Sequence, residues 1–136
     1  MNVPKSQLPE GMEERECHLY GLTGWFTQFP LYDSAFAFGG YFRYDLAEKK
    51  IVNGQLIDCF GPSSILEGFM DQDFFSFVKQ YEDRGPGNEI IYTFMRESNL
   101  WVGDYLDLYT GKGNAKCVTY LTDKDGFYIV CGSLKS

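Results

Sequence analysis

The chain has one histidine, His18, and none of its four cysteines, Cys17, Cys59, Cys117 and Cys131, stands in a C-x-x-C arrangement. One histidine excludes the common multi-histidine zinc and iron sites. The cysteine spacing removes the usual zinc and thioredoxin-like signatures. No metal and no cofactor is therefore expected. Apolar runs stay well short of the ~20 residues that a membrane-spanning helix needs. Lys and Arg form no cluster, and 12 basic against 19 acidic side chains give a net charge of −7. Phosphate backbones and anionic membrane surfaces would be repelled, so neither nucleic acid nor membrane is an expected partner. Met1 to Arg15 is polar and carries no apolar core of a secretory signal. The expectation is a cytoplasmic protein whose cysteines are free thiols.

Apolar residues make up 44% of the 136 residues and aromatics 18%, including 12 Phe, 10 Tyr and 2 Trp. That is far from the composition of disorder, and the length suits one domain. Residues 1–17 hold Pro4, Pro9 and no hydrophobic period, and read as a flexible polar leader. Residues 18–136 read as a single β domain in which short apolar runs alternate with Gly, Pro, Asn and Asp.

Phe36 to Leu46 alternates strictly, with Phe36, Phe38, Gly40, Phe42, Tyr44 and Leu46 on one side. That is the period of a strand. Asn53-Gly54 suits a hairpin turn leading into a second strand over Gln55 to Phe60. Glu89 to Arg96 and Leu100 to Tyr109 alternate in the same way. Cys117 to Leu121 and Phe127 to Cys131, bridged by Asp123-Lys124-Asp125-Gly126, read as a last hairpin. In that hairpin Cys131 falls opposite Val118 or Thr119, so a Cys117–Cys131 disulfide needs another register. Gly85-Pro86-Gly87-Asn88 and Gly111-Lys112-Gly113-Asn114 read as hairpin loops, because neither opens a helix as phosphate loops do.

The stretch 65–82 admits two readings. Ser64-Ile65-Leu66-Glu67 fits a capping box, and Leu66, Met70, Phe74, Phe77, Val78 and Tyr81 recur near helical spacing. A helix there would make the fold α+β, packed on an antiparallel sheet. Gly68 and the alternation of Phe75, Phe77, Lys79 and Tyr81 favour instead two strands joined near Asp71-Gln72-Asp73. With those strands, about eight or nine short strands follow one another without a crossover. An antiparallel up-and-down meander barrel of about eight strands leaves no open edge.

Gly21-Leu22-Thr23-Gly24-Trp25 resembles the glycine-tryptophan pattern that opens many calycin barrels, the group of lipocalins, fatty-acid-binding proteins and avidins. Val102-Gly103-Asp104-Tyr105 is similar to the threonine-aspartate-tyrosine motif of lipocalins, with Gly103 in place of the threonine. With Trp101 and Gly111-Lys112-Gly113, the chain looks like small bacterial proteins of lipocalin-like or avidin-like type. The resemblance implies a β-barrel that holds a small molecule.

Phe77, Lys79, Tyr92, Phe94, Trp101, Tyr105 and Tyr120 fall on one side of neighbouring strands if the registers match. They are either an ordinary aromatic core or the lining of an apolar lumen with a few orienting polar groups. No acid, base or nucleophile stands out by spacing. His18 lacks support for a catalytic relay, Asp71, Asp73, Glu82 and Asp83 suit turns, and Asp58 is expected to face outward from its apolar strand rather than to lie poised inside. The leading expectation is non-catalytic binding of a small apolar or aromatic ligand in the lumen. A module that dimerises or docks on a protein through an outer aromatic face is the alternative. A barrel enzyme acting on a small hydrophobic substrate comes last.

Overall fold

The computed structural model describes residues 12–27, 35–85, 87–108, 111–122 and 127–132. Nine antiparallel strands follow one another: β1 (Met12–Thr27), β2 (Ala35–Asp45), β3 (Lys50–Asp58), β4 (Gly61–Met70), β5 (Phe74–Tyr81), β6 (Ile90–Glu97), β7 (Leu100–Asp107), β8 (Gly111–Leu121) and β9 (Phe127–Gly132). Each strand from β2 to β8 pairs with the next, and β1 pairs with both β2 and β8. The first eight strands thus close into an up-and-down barrel.

Closure depends on the length of β1. Its 16 residues serve three neighbours: Cys17 to Thr27 pair with β2, Tyr20 to Phe26 pair with β8, and Met12 to Cys17 pair with β9. The strand starts inside the stretch 1–17 read as leader, whose first eleven residues lie outside the described set. The expected hairpin between Cys117–Leu121 and Phe127–Cys131 does not form. The free edge of β8 is taken by β1, so β9 adds instead to the first half of β1. Glu13, not Val118 or Thr119, is opposite Cys131, and Cys117 lies between Trp101 and Gly24. The turn read at Asp123–Gly126 lies outside the described residues.

The stretch 65–82 is strand, turn and strand, not helix. Asp71 makes the turn: its Oδ1 accepts the backbone N–H groups of Asp73 at 2.9 Å and Phe74 at 2.8 Å. These bonds hold two otherwise free donors where the chain reverses. The β2–β3 turn works the same way but at Leu46–Lys49, not at Asn53-Gly54. Buried Asp45 accepts the N–H groups of Ala47 and Glu48, and Lys49 takes the left-handed conformation, φ 58°. Asn53 and Gly54 lie within β3 beside a bulge. Gly54 is required there by close approach, since a Cβ would sit 2.5 Å from the Tyr41 carbonyl oxygen. Gly111–Asn114, read as a loop, is the start of β8 and pairs with β7.

Inward residues from β1 to β8 form one core, including Phe42, Phe75, Phe77, Tyr92, Phe94 and Trp101. Trp25, the tryptophan of the glycine-tryptophan pattern, lies on the outer face and is 43% exposed. Among the described residues no helix is long and apolar enough to cross a membrane.

Candidate functional site

Of the seven residues expected to line the lumen, six come together inside it. Registers Phe77↔Tyr92, Phe94↔Gly103 and Tyr92↔Tyr105 put Phe77, Tyr92, Phe94 and Tyr105 on one inner face. Lys79 and Trp101 share it, each about fully buried. Tyr120 does not join them. Its strand presents Gly113, Ala115 and Cys117 inward, so the parity of β8 turns Tyr120 outward, 51% exposed. Its ring covers Gly21, where a Cβ would fall 2.2 Å from the ring carbon Cζ.

The six inward side chains pack on one another and on the opposite wall. Phe77 stacks on Tyr92 at 4.7 Å between centroids, and Phe75 on Phe94 at 5.4 Å. Phe38 on β2 reaches Tyr92 on β6 at 6.1 Å, and Phe42 reaches Phe75 on β5 at 5.7 Å. Strands β2 and β6 are four apart round the barrel, so these contacts cross it. The middle of the lumen is a ring-filled core.

Toward one end, where β3 turns into β4 and β5 leaves the barrel, the core holds charge. Lys79 Nζ donates to Asp58 Oδ2 at 3.1 Å and to the hydroxyls of Tyr81 and Tyr92, each at 3.2 Å. Tyr81 donates in turn to Asp58 Oδ2 at 2.6 Å, and the Phe60 N–H donates to Oδ1 at 2.8 Å. Side-chain exposure is 1% for Lys79 and 0% for Asp58. The expectation of an outward Asp58 is therefore overturned. It shares the inward parity of Leu56, and the turn into β4 brings it against Lys79. The ammonium also lies 4.4 Å from the Tyr81 ring centroid. Beside this pair, Arg84 bonds Asp107 at 3.1 Å, and its guanidinium carbon lies 4.8 Å from the Tyr81 ring centroid.

Burial sets the acid–base character of this end. It pulls the Lys79 ammonium below the ordinary lysine range, opposed by Asp58. It pushes the Tyr81 and Tyr92 phenols well up, with Asp58 adding to both. Tyr105, which donates to the Thr27 carbonyl at 2.7 Å, is pushed up to about 12 by burial and then by Asp107. Among the described residues no buried side-chain nitrogen or oxygen lacks a hydrogen-bond partner, so the groups of this cluster bond one another within the core.

The opposite end is open. Beyond Phe42, Phe75 and Trp101 the stack stops, and a concavity of about 530 Å³ lies among Tyr20, Tyr44, Met70 and Thr119, with Leu46, Lys49, Asp71, Gln72, Asp73 and Arg96 at its rim. Tyr20 stacks flat on Phe42 at 5.4 Å and meets Tyr44 edge-on at 5.6 Å. The Tyr44 hydroxyl donates to the Met70 carbonyl at 2.5 Å, which fixes that wall. Trp101 Nε1 donates to Thr119 Oγ1 at 3.1 Å, linking the core to the mouth.

Tyr20, Tyr44 and Thr119 escaped the sequence reading because parity shows a shared face but not where along the barrel a core ends. His18 pairs with Tyr44 across β1 and β2. No group of three His, Cys, Asp or Glu side chains among the described residues could hold a metal. Cys59 and Cys117 are free thiols, and of Cys17, Cys59 and Cys117 only Cys59 is exposed. No family model matches the chain, and no curated protein matches it.

Proposed function

We propose that this barrel binds a small ligand with an apolar or aromatic body, without catalysis, at the mouth walled by Tyr20, Tyr44 and Met70. The observation that carries the reading is the concavity of about 530 Å³ set where the cross-barrel stack ends. Its size falls within the range of small-molecule pockets, roughly 300–1,000 Å³. Two tyrosine rings and a methionine offer an apolar floor, and methionine adapts to ligands of different shape. The resemblance of β1 and β7 to calycin barrels leans the same way, although the ligand seat differs from the lumen centre that the sequence suggested. There Phe77, Lys79, Tyr92, Phe94, Trp101 and Tyr105 occupy the space themselves.

The test is a titration with 3-phenylpropanamide, an uncharged aromatic probe, followed by the indole N–H resonances of the two tryptophans. Trp101 contacts Thr119 in the mouth, while Trp25 lies on the outer face. Saturable movement of the Trp101 resonance with Trp25 unmoved is the expected result. No movement, or movement at Trp25 alone, overturns the reading.

A further inference from the structure

Two cations and two anions, Lys49, Arg96, Asp71 and Asp73, line this mouth, yet none of the four closes an ion pair on another. Arg96 and Asp71 are instead fixed by other bonds. Arg96 Nε donates to the Gln72 carbonyl at 2.6 Å, its backbone N–H donates to the Asp73 carbonyl at 3.0 Å, and its guanidinium carbon sits 4.3 Å from the Trp101 ring centroid. These contacts set the guanidinium plane and leave its Nη groups without an acceptor among the described residues. A planar fork held this way suits a carboxylate.

Asp71 uses only Oδ1, for the Asp73 and Phe74 N–H groups, and those bonds hold its carboxyl below the usual range. It is an anion at neutral pH. Lys49 is held by its left-handed backbone and by the bond from the Met70 N–H to its carbonyl, 3.1 Å.

Taking the mouth as the ligand site, the geometry points to a small zwitterion, with a carboxylate and an ammonium on one apolar or aromatic body. Arg96 and Lys49 face the carboxylate, Asp71 and Asp73 the ammonium, and Tyr20, Tyr44 and Met70 the body. A ligand of one charge brings its group against two like charges as well as two opposite ones, and a neutral ligand engages none of the four. Only a ligand with both poles matches a rim with both signs.

Four probes with one benzyl body separate these cases: phenylalanine, phenethylamine, 3-phenylpropionate and 3-phenylpropanamide, each titrated against the full chain with the Trp101 indole N–H as the readout. Phenylalanine is expected to bind at least about fivefold more tightly than each of the others, the scale of one partly exposed charge pair. Arg96→Gln should lower phenylalanine affinity toward that of phenethylamine without weakening phenethylamine. Asp73→Asn should lower it toward that of 3-phenylpropionate without weakening that probe. Lys49→Gln repeats the carboxylate test without disturbing the stack on Trp101. Equal binding of all four probes, or tighter binding of a singly charged one, overturns the zwitterion and leaves the ligand site standing. Silence from all four overturns both.

Discussion

Replacing Lys79 with Met tests the polar core most sharply, because methionine keeps much of the length and volume and removes only the charge. The variant leaves the Asp58 carboxylate with Tyr81 and the Phe60 N–H as donors and no counter-charge, at 0% side-chain exposure. Breaking a buried pair from one side costs about 3–5 kcal/mol. Adding Asp58→Asn in the same chain removes the stranded charge, and the double variant should lose only about 1–2 kcal/mol. At this chain length the single variant's loss lowers the melting temperature by roughly 10–20 °C, and the double variant recovers more than half. Urea unfolding at neutral pH, followed by tryptophan fluorescence, measures all the corners of the cycle.

Asp58→Asn alone adds a sign test. The folded pKa of Lys79 is depressed below 10.5 by burial, and Asp58 opposes the fall, so its removal deepens the depression. The unfolded chain then holds more protons across that window, and stability rises with pH. Relative to the wild type, the single Asp58→Asn variant should gain stability as pH rises toward the ordinary lysine value of 10.5. A Lys79→Met variant within about 1 kcal/mol of the wild type, or a double variant as damaged as the sum of its parts, would refute the paired, buried geometry.

Three further outcomes follow from the same structure. Tyr44, Tyr81, Tyr92 and Tyr105 all have folded pKa values raised above 10.0, so their stabilisation is complete below pH 10 and is lost as pH climbs through the folded values. Urea unfolding from pH 9 to 11 should show stability falling from about pH 10, by ~1.4 kcal/mol per pH unit for each phenol that stays protonated in the fold; a flat profile counts against them. Of Cys17, Cys59 and Cys117, iodoacetamide should modify Cys59 alone in the folded protein, since the other two are buried and burial pushes the Cys117 thiol up; peptide mapping with equal labelling of Cys117 contradicts this. Ser98 holds φ at 59° in the β6–β7 turn, so Ser98→Gly should stabilise by about 0.5–1 kcal/mol, read from the urea midpoint.

The sequence carried the strands because apolar alternation is a local signal, and it carried the inward face of β5, β6 and β7 because their registers happen to agree. It misplaced features set by partners distant in the chain. Nothing in Phe127–Cys131 says that β8 already has β1 on its free edge, since that depends on the length of a strand more than a hundred residues earlier. Asn53-Gly54 is a good local turn signal, but Asp45 supplies side-chain bonds four residues before Lys49 and takes the reversal first. The outward expectation for Asp58 rested on carboxylates being mostly exposed, whereas in the fold it shares the inward parity of Leu56. Its partner Lys79 is 21 residues away, a pairing that no spacing rule encodes. Tyr120 was assigned by assuming a register for β8 that the Trp101↔Cys117 pairing shifts by one residue, which is enough to reverse a face.

The chain has four methionines, and methyl-labelled methionine gives the most direct test of a barrel filled at its centre and open at one mouth. Nuclear Overhauser contacts from bound 3-phenylpropanamide should reach the Met70 methyl, which lines the mouth, and not that of Met95, 65% exposed on the outer face. Contacts to the ring protons of Phe77 and Tyr92 in place of Met70 would put the ligand in the lumen centre and contradict the packed core.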